Sequence, residues 1–534
     1  MRAPAAGARR TRATGGRRRV QRLALAACLL GAGCSSGPDF KPPAPPVVAD
    51  AARPYTEAPL PAATASAAVP SGAAQRFVLG ADVPAQWWQL FGSPALDALV
   101  RSALEHSPTL AAAQAALSQA EELYAADAGA RLVPSVGGQL GVTRQRQSQA
   151  ASNVAGGVEF TLYNASVGVS YTVDAFGGVR RELEALEANV DLQRYQVEAA
   201  ALALSANVVT AAIQEASLRA QLEATQEILA TQQRALAIVE RQSALGAVAQ
   251  QAVLAQRTQI AQTRSTLPPL DKALAQTRQQ LAVYAGRLPG DAGLPEFRLD
   301  ALTLPQALPV SLPSELVRQR PDIRAGEALL HSASAQVGVA AAAQYPQITL
   351  SGSVGSQALK LDKLFGGPAA AWSLGAGLVA PLIDGGAARA RRRAAEAVYR
   401  QTLAQYQQTV LGAFLNVANV LRALDSDAQA LARQAEAAEL ARQSLELARQ
   451  QHRAGAVSTL VLLDAERSVQ ATRIALVQAE AARHADTAAL FQALGGGWWQ
   501  RDPLPASTGP QAFAPEATAV PAATTASAAS AQTH

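Results

Sequence analysis

Two stretches of the chain repeat apolar residues at three- and four-residue spacing over lengths that no globular domain needs. Residues 179–245 contain neither Gly nor Pro and are dense in Ala, Leu, Gln, Glu and Arg, with Leu222, Ile228, Leu229, Leu236 and Val239 marking an apolar stripe. Residues 387–454 have one interruption, Gly412, and residues 456–494 have none. The composition favours helix, and the spacing favours helices packed side by side. At 1.5 Å per residue the two longest would each reach roughly 100 Å. A different texture precedes each of them. Residues 135–143 (SVGGQLGVT), 158–173 (VEFTLYNASVGVSYTV), 347–354 (QITLSGSV) and 372–379 (WSLGAGLV) alternate small or polar residues with apolar ones. Period-two alternation with Tyr, Trp and Thr predicts four strands, and runs of ~10 residues with this alternation suit a membrane barrel.

The order of elements repeats. Residues 96–129 read as helix, followed by Pro134, two strands, Gly177-Gly178, a long helix, the turn Leu245-Gly246-Ala247-Val248 and a further helix. Residues 315–344 read as helix, followed by Pro346, two strands, Gly385-Gly386, a long helix, the turn Ala454-Gly455-Ala456-Val457 and a further helix. The landmarks are offset by 346 − 134 = 212, 385 − 177 = 208 and 455 − 246 = 209, which is an internal duplication of about 210 residues. Gly246 and Gly455 are the predicted hairpin turns. Pro268-Pro269 interrupts the helix after the first turn, and residues 287–313 link the halves. The predicted organisation is a signal peptide over 1–33, a Pro/Ala-rich tether over 34–85, a first repeat over 86–300, a second over 301–499, and an Ala/Thr/Ser tail over 500–534.

Charge changes the picture only at the N-terminus. The 534-residue chain carries a formal +5, but eight arginines precede Cys34 and the first acid is Asp39, so removing the leader gives +5 − 8 = −3. A mildly acidic mature chain lacks the electrostatic footprint of a nucleic-acid binder. The leader itself is basic, then apolar over residues 23–33, then small before Cys34, which is signal-peptide anatomy too short to span a bilayer. A cysteine in that position is the pattern of a bacterial lipoprotein, with Cys34 taking a diacylglycerol and an N-acyl chain. Gly31 stands where such sites usually have a larger aliphatic residue. Cys28 after Leu25-Ala26-Ala27 fits locally but leaves too short an apolar core, and an ordinary cleaved signal is the remaining alternative. No later segment offers ~18 uninterrupted apolar residues, so membrane entry would need a closed barrel.

Catalytic chemistry finds little to build on. The two cysteines both lie within the first 34 residues, and the five histidines have no Cys or carboxylate at ligand spacing, so no metal or cofactor is expected. GxxxxGK[ST] and a strand-to-helix GxGxxG are missing. The single GxSxG match, Gly33-Cys34-Ser35-Ser36-Gly37, falls at the end of the leader and not at a strand-to-helix turn, and an enzyme is not expected. The arginine run 389–393 (RARRR) leaves two readings open, contact with phosphate or lipopolysaccharide and a solvated helix end. Four strands cannot close a barrel, because the smallest have about eight. The strands, and the helices with them, must therefore pool between chains.

Several motifs then carry a resemblance. They are Gly37-Pro38-Asp39-Phe40 after the cysteine, Trp87-Trp88-Gln89-Leu90-Phe91-Gly92 with Leu96 and Leu99, and His106-Ser107-Pro108-Thr109-Leu110. They continue with Arg320-Pro321-Asp322-Ile323-Arg324 and Glu327, Leu462-Leu463-Asp464-Ala465 after Gly455, and Ala493-Leu494-Gly495-Gly496-Gly497-Trp498. In this order the chain resembles the outer-membrane factors of tripartite efflux pumps, TolC-like proteins of the NodT-type lipoprotein branch. The resemblance implies a mainly α protomer, internally duplicated. Three copies would form a periplasmic α-barrel and share a transmembrane β-barrel of four strands each. It implies a lipid-anchored outer-membrane channel, with a periplasmic adaptor and an inner-membrane RND-type transporter as partners and no nucleic acid. It also places a periplasmic constriction just after Gly455, where Leu460 and Asp464 share a helical face at i, i+4. In a threefold tube they would stack as an apolar and an acidic ring, a gate of the kind that closes by excluding water. The alternative is that Leu460 packs and Asp464 is a surface charge favoured near a helix start. The first repeat offers Ala249-Gln250-Gln251 at that point, without an acid. The competing class is a non-conducting structural or adhesive coiled-coil lipoprotein, which leaves the duplicated strand pairs unexplained.

Overall fold

The computed structural model describes residues 36–43, 55–57, 59–152, 155–291, 293–311 and 313–501. Cys34, the predicted signal peptide and the tail from residue 502 onward lie outside them. In chain order the elements are β1 (Arg76–Leu79), α1 (Pro94–His106), α2 (Pro108–Leu132), β2 (Ser135–Gln147), β3 (Val158–Val173), α3 (Gly178–Ala244), α4 (Gln250–Ser265) and α5 (Leu267–Tyr284). Then follow β4 (Ala307–Val310), α6 (Pro313–Gln319), α7 (Pro321–Ala342), β5 (Gln347–Ala358), β6 (Ala370–Val379), α8 (Ala387–Arg453) and α9 (Thr459–Ala493).

The two long helices are the predicted ones. Helices α3 and α8 have 67 residues each, and both begin after a glycine in the left-handed region, Gly177 at φ +77° and Gly386 at φ +85°. The shorter helical runs differ from expectation. The run predicted over 96–129 is two helices divided at Ser107-Pro108, and the run over 315–344 is divided at Arg320-Pro321. Proline pushes its predecessor out of the helical region: Ser107 (φ −68°, ψ 122°) and Arg320 (φ −76°, ψ 125°) are extended, and each proline opens the next helix. Pro268-Pro269 breaks the helix as expected, but only at Thr266, because prolines at the first turn of α5 have no lost hydrogen bond to replace.

Four strands form one antiparallel sheet in the order β2-β3-β5-β6. Helices pack in the same order beneath it, α2 on α3, α3 on α7 and α7 on α8. The sheet lies at one end of the long helices and the turns at Gly246 and Gly455 at the other. Midway, a large apolar core gathers Trp87, Phe91, Leu96, Val209, Leu421 and Phe491.

The segment expected to be a loose tether over 34–85 is partly built into this middle. β1 pairs in parallel with β4, Arg76 opposite Ala307 through Leu79 opposite Val310. Gln75 and Thr64 are buried. The guanidinium of Arg483 on α9, with no exposed surface, donates to the Ser71 and Ala73 carbonyls (2.8 and 2.9 Å) and to Thr64 Oγ1 (3.0 Å). β1 lies before the expected first repeat and β4 just after residue 300, so this pairing spans the expected boundary between the repeats.

Candidate conduction path

The four-strand sheet has two chemically distinct faces, and the register assigns them. Opposite partners Val136–Val169, Leu140–Ala165, Val167–Val354 and Val354–Trp372 fall on one face, which also carries Leu374 and Leu378 by strand alternation. This face is exposed, with Leu140 at 82% and Leu374 at 83%. The other face pairs Gln139 with Ser166, Gly168 with Ser353 and Ser353 with Ser373. It lines a concavity with Ser135, Asn164 and Gln357 and no charged side chain. An apolar convex face and a polar concave one are what one sector of a water-filled barrel presents to lipid and lumen. β2 and β6 have no second neighbour among the described residues, leaving two free edges. The alternation was legible in the sequence; which side was lumenal needed the pairing.

The helical wall below is joined by buried charge as well as by alanine. Glu215 on α3 is fully buried and accepts from Arg219 (2.9 Å) and from Arg278 on α5 (2.5 Å). Nearer the tip the seam is polar: Gln232 on α3 and Gln256, Gln259 and Thr263 on α4 are buried, Gln256 donates to the Gln232 carbonyl, and Arg467 on α9 reaches Gln259 Oε1 at 3.3 Å. Burial raises the pKa of Glu466 on α9 above the usual carboxylate range, and one of its oxygens has no partner among the described residues. Apart from the i, i+4 pair Glu215–Arg219, none of these groups stands out in the sequence, because their partners are distant in the chain.

At the tip, Gly246 (φ +75°) and Gly455 (φ +71°) end α3 and α8 in the same way. The amides of Ala247 and Gly246 donate to the Gln242 and Ser243 carbonyls, and those of Ala456 and Gly455 to the Gln451 and His452 carbonyls. Both are Schellman caps, which need a left-handed residue at the glycine. His452 Nε2 lies 3.1 Å from Thr459 Oγ1, tying α8 to α9 across the second turn. Leu460 and Asp464 sit in the first turns of α9, 71% exposed for Leu460 and 79% for the Asp464 side chain. The nearest counter-charge to Asp464 is Arg467 at 3.8 Å. Neither residue packs into its own protomer. Cys34 lies outside the described residues, but Ser36 is held, its amide donating to the Phe176 carbonyl at 3.2 Å.

Comparison with known proteins agrees with this geometry. The profile of the outer membrane efflux protein family matches twice, over residues 99–287 and 312–496, one match per structural repeat. The pyoverdine export outer membrane protein OpmQ of Pseudomonas putida is 33% identical over 434 residues, covering 78% of this chain and 89% of OpmQ. The probable outer membrane lipoprotein SilC of Salmonella typhimurium is 27% identical over 416 residues, covering 77% and 88%. The solved outer-membrane channel OprN superposes with a TM-score of 0.78 at 29% identity, covering 87% of this chain and all of that one. Matched in both repeats and along most of its length, the chain belongs to the outer membrane efflux protein family.

Proposed function

We propose that three copies of this outer-membrane efflux channel close one barrel and one periplasmic tube, forming the exit duct of a tripartite pump. The observation that carries the reading is the two-faced sheet with two free edges. β2 and β6 run antiparallel, so β6 of one copy can pair with β2 of the next, and three copies would contribute about twelve strands, within the range of known barrels. The polar, uncharged concave face suits cargo that is passed on without selection by charge. Transport energy would come from an inner-membrane RND-type transporter through a periplasmic adaptor, since the chain carries no nucleotide-binding motif. Conduction, not catalysis, is the activity. A diacylglycerol and an N-acyl chain on Cys34 would add an anchor; the lipoprotein relative and the docked segment after Cys34 support this.

The gate is assigned to Leu460 and Asp464. Their exposure in one protomer and their place beside the second turn support a role facing other copies, where rings of apolar and acidic side chains can hold a pore shut. Light scattering of the detergent-extracted chain should give the mass of a trimer, and planar bilayers should show discrete conductance that rises in Leu460→Ala/Asp464→Ala. A non-conducting monomer would favour the coiled-coil lipoprotein reading. A conducting trimer whose double variant conducts like the wild type would return both residues to ordinary surface roles.

A further inference from the structure

The arginine run at the start of α8 remains unaccounted for, and the structure gives it surroundings. In the first repeat the arginines at the start of the long helix are neutralised. Arg180 pairs with Asp174 at 3.1 Å, and Arg181 pairs with both Asp39 and Glu184 at 2.6 Å. In the second repeat Arg389, Arg391, Arg392 and Arg393 occupy the first two turns of α8 and Arg400 lies two turns on. Only Arg392 has an ion-pair partner among the described residues, Glu396 at 3.0 Å. Cations at the start of a helix oppose its dipole. Asp384 offsets part of that cost, accepting from the Gly386 and Ala388 amides at 2.9 and 2.7 Å, but it ion-pairs with none of these arginines among the described residues.

Two adjoining concavities of about 590 and 390 Å³ open beside that run. Both are walled by Pro38 of the docked N-terminal segment, by Val337 on α7 and by Arg392. The larger adds Lys41 and Arg400, together with the carboxylates of Asp39 and Glu396. Those carboxylates are paired with Arg181 and Arg392, which leaves Lys41 and Arg400 as the cations without an ion-pair partner among the described residues. The smaller adds Phe176 and Tyr345, whose rings stack with centroids 4.8 Å apart. The groove thus has a cationic end and an aromatic end. Its position is defined by the chain: Phe176 joins β3 to α3 and Tyr345 joins α7 to β5, so the aromatic end lies where the membrane sheet meets the periplasmic helices. The groove lies on the α7 side of α8, away from the free β6 edge where another copy would join. Cys34 is two residues before Ser36, which is fixed to Phe176.

We propose that this groove binds the headgroup of an anionic glycerophospholipid from the periplasmic leaflet of the outer membrane. Arg392, Arg400 and Lys41 hold the phosphate, and the Phe176–Tyr345 pair lies along the start of an acyl chain. Arginine's planar donor fork matches phosphate oxygens, and basic pockets at a membrane rim are suited to lipid headgroups. The site requires the outer-membrane location but neither conduction nor the gate.

Native mass spectrometry of the full chain in detergent doped with phosphatidylglycerol or phosphatidylcholine tests it. Phosphatidylglycerol should be retained in preference, and Arg392→Gln/Arg400→Gln should lower its retention about tenfold, the scale of losing one or two charge-assisted contacts. The control Arg433→Gln/Arg442→Gln, on exposed arginines toward the tip, should retain it as the wild type does. Glu396→Gln frees Arg392 from its ion-pair partner and should raise retention, a gain that a merely structural role would not produce. Equal retention of the two lipids, equal retention in the groove variant, or an equal loss in the control would each overturn the proposal. So would a clear gain of phosphatidylglycerol in Cys34→Ser, which would mean that the chain's own anchor fills the groove in the wild type. Conductance recorded on the same preparations reports the channel reading separately.

Discussion

The middle of the protomer and its two ends are built from similar residues to opposite effect. In the middle, Trp87, Phe91, Leu96 and Phe491 are sealed within one chain, Trp87 stacking on Phe491 at 5.5 Å. At the ends, residues just as apolar face outward, Trp372 and Leu374 on the sheet and Leu460 at the tip. Isolated soluble proteins do not leave contiguous apolar surface of this extent uncovered. The difference teaches that the protomer is complete only at its waist. On the proposed assembly, lipid and other copies would complete the barrel, and other copies the tip. A substitution at the waist should therefore register in a single chain, and one at an end should register only in the assembly.

The largest effect should come from Trp87→Ala. Emptying a fully buried aromatic site costs about 3–5 kcal/mol, and the helical unfolding midpoint of the detergent-dissociated chain should fall accordingly. Leu374→Ala, on the exposed sheet face, should leave that midpoint within about 0.5 kcal/mol of wild type while weakening the trimer in membranes. Equal losses from both in the dissociated chain would erase the distinction between waist and ends.

Arg483→Met sharpens the same comparison by testing how the strap over residues 63–79 is held. The change leaves the Ser71 and Ala73 carbonyls short of a donor, while Thr64 Oγ1 keeps the Gln75 amide. At about 1–3 kcal/mol per orphaned group, offset by relief of a buried charge, the net loss should be about 2–3 kcal/mol. Limited proteolysis should then cut within the strap. A strap that stays resistant would mean that the β1–β4 pairing alone retains it.

Much of the body announces itself in the sequence, and the strap shows why the rest does not. Long helices are legible because Gly and Pro are missing over 60 residues or more in α3, and the strands because alternation is a local property. β1 (RFVL) and β4 (ALPV) are four residues each without alternation, and they pair across more than 200 residues. Arg483 reads as solvated charge on a helix, yet its acceptors lie 408–419 residues away. Leu460 and Asp464 are legible as one helical face, but that face is exposed in the single chain, and its neighbours are not read from one sequence.

A carboxylate pair at the waist gives a smaller, pH-dependent effect. Burial, then hydrogen bonding to Asp427 and its charge, raise the pKa of Asp486 from 3.8 to about 7. The folded chain thus binds more protons than the unfolded chain between about pH 4 and 7. Stability from this group is fully present below that window and lost as pH rises through it. Asp486→Asn should therefore stabilise at pH 8 by about 1–2 kcal/mol, allowing for solvent access to the pair, and change little at pH 4. Burial, with Arg483 beside it, lowers the pKa of His484 to about 4, and its own acid sensitivity runs the other way. That contribution is common to both chains and cancels in the difference. A stability difference that does not vary with pH would show that Asp427 and Asp486 are not sharing a proton.

The smallest effect should fall at the tip, where the two repeats can be set against each other. A Cβ at Gly246 or Gly455 would meet no heavy atom within 4 Å of the described structure, so packing contributes nothing to the cost of alanine. What remains is the left-handed backbone, about 1 kcal/mol for a residue with a Cβ. Gly246→Ala and Gly455→Ala should then lower the stability of the dissociated chain by the same amount, because the two Schellman caps are alike. In the assembled channel they should part. Leu460 and Asp464 follow only the second turn, so a shift of the α8–α9 corner moves both side chains, whereas a shift of the α3–α4 corner moves Ala249 and Gln250. Gly455→Ala should therefore alter single-channel conductance and Gly246→Ala should not. Equal conductance changes would show that the constriction is shared between the hairpins, and that the missing acid in the first repeat is no guide to which of them closes the pore.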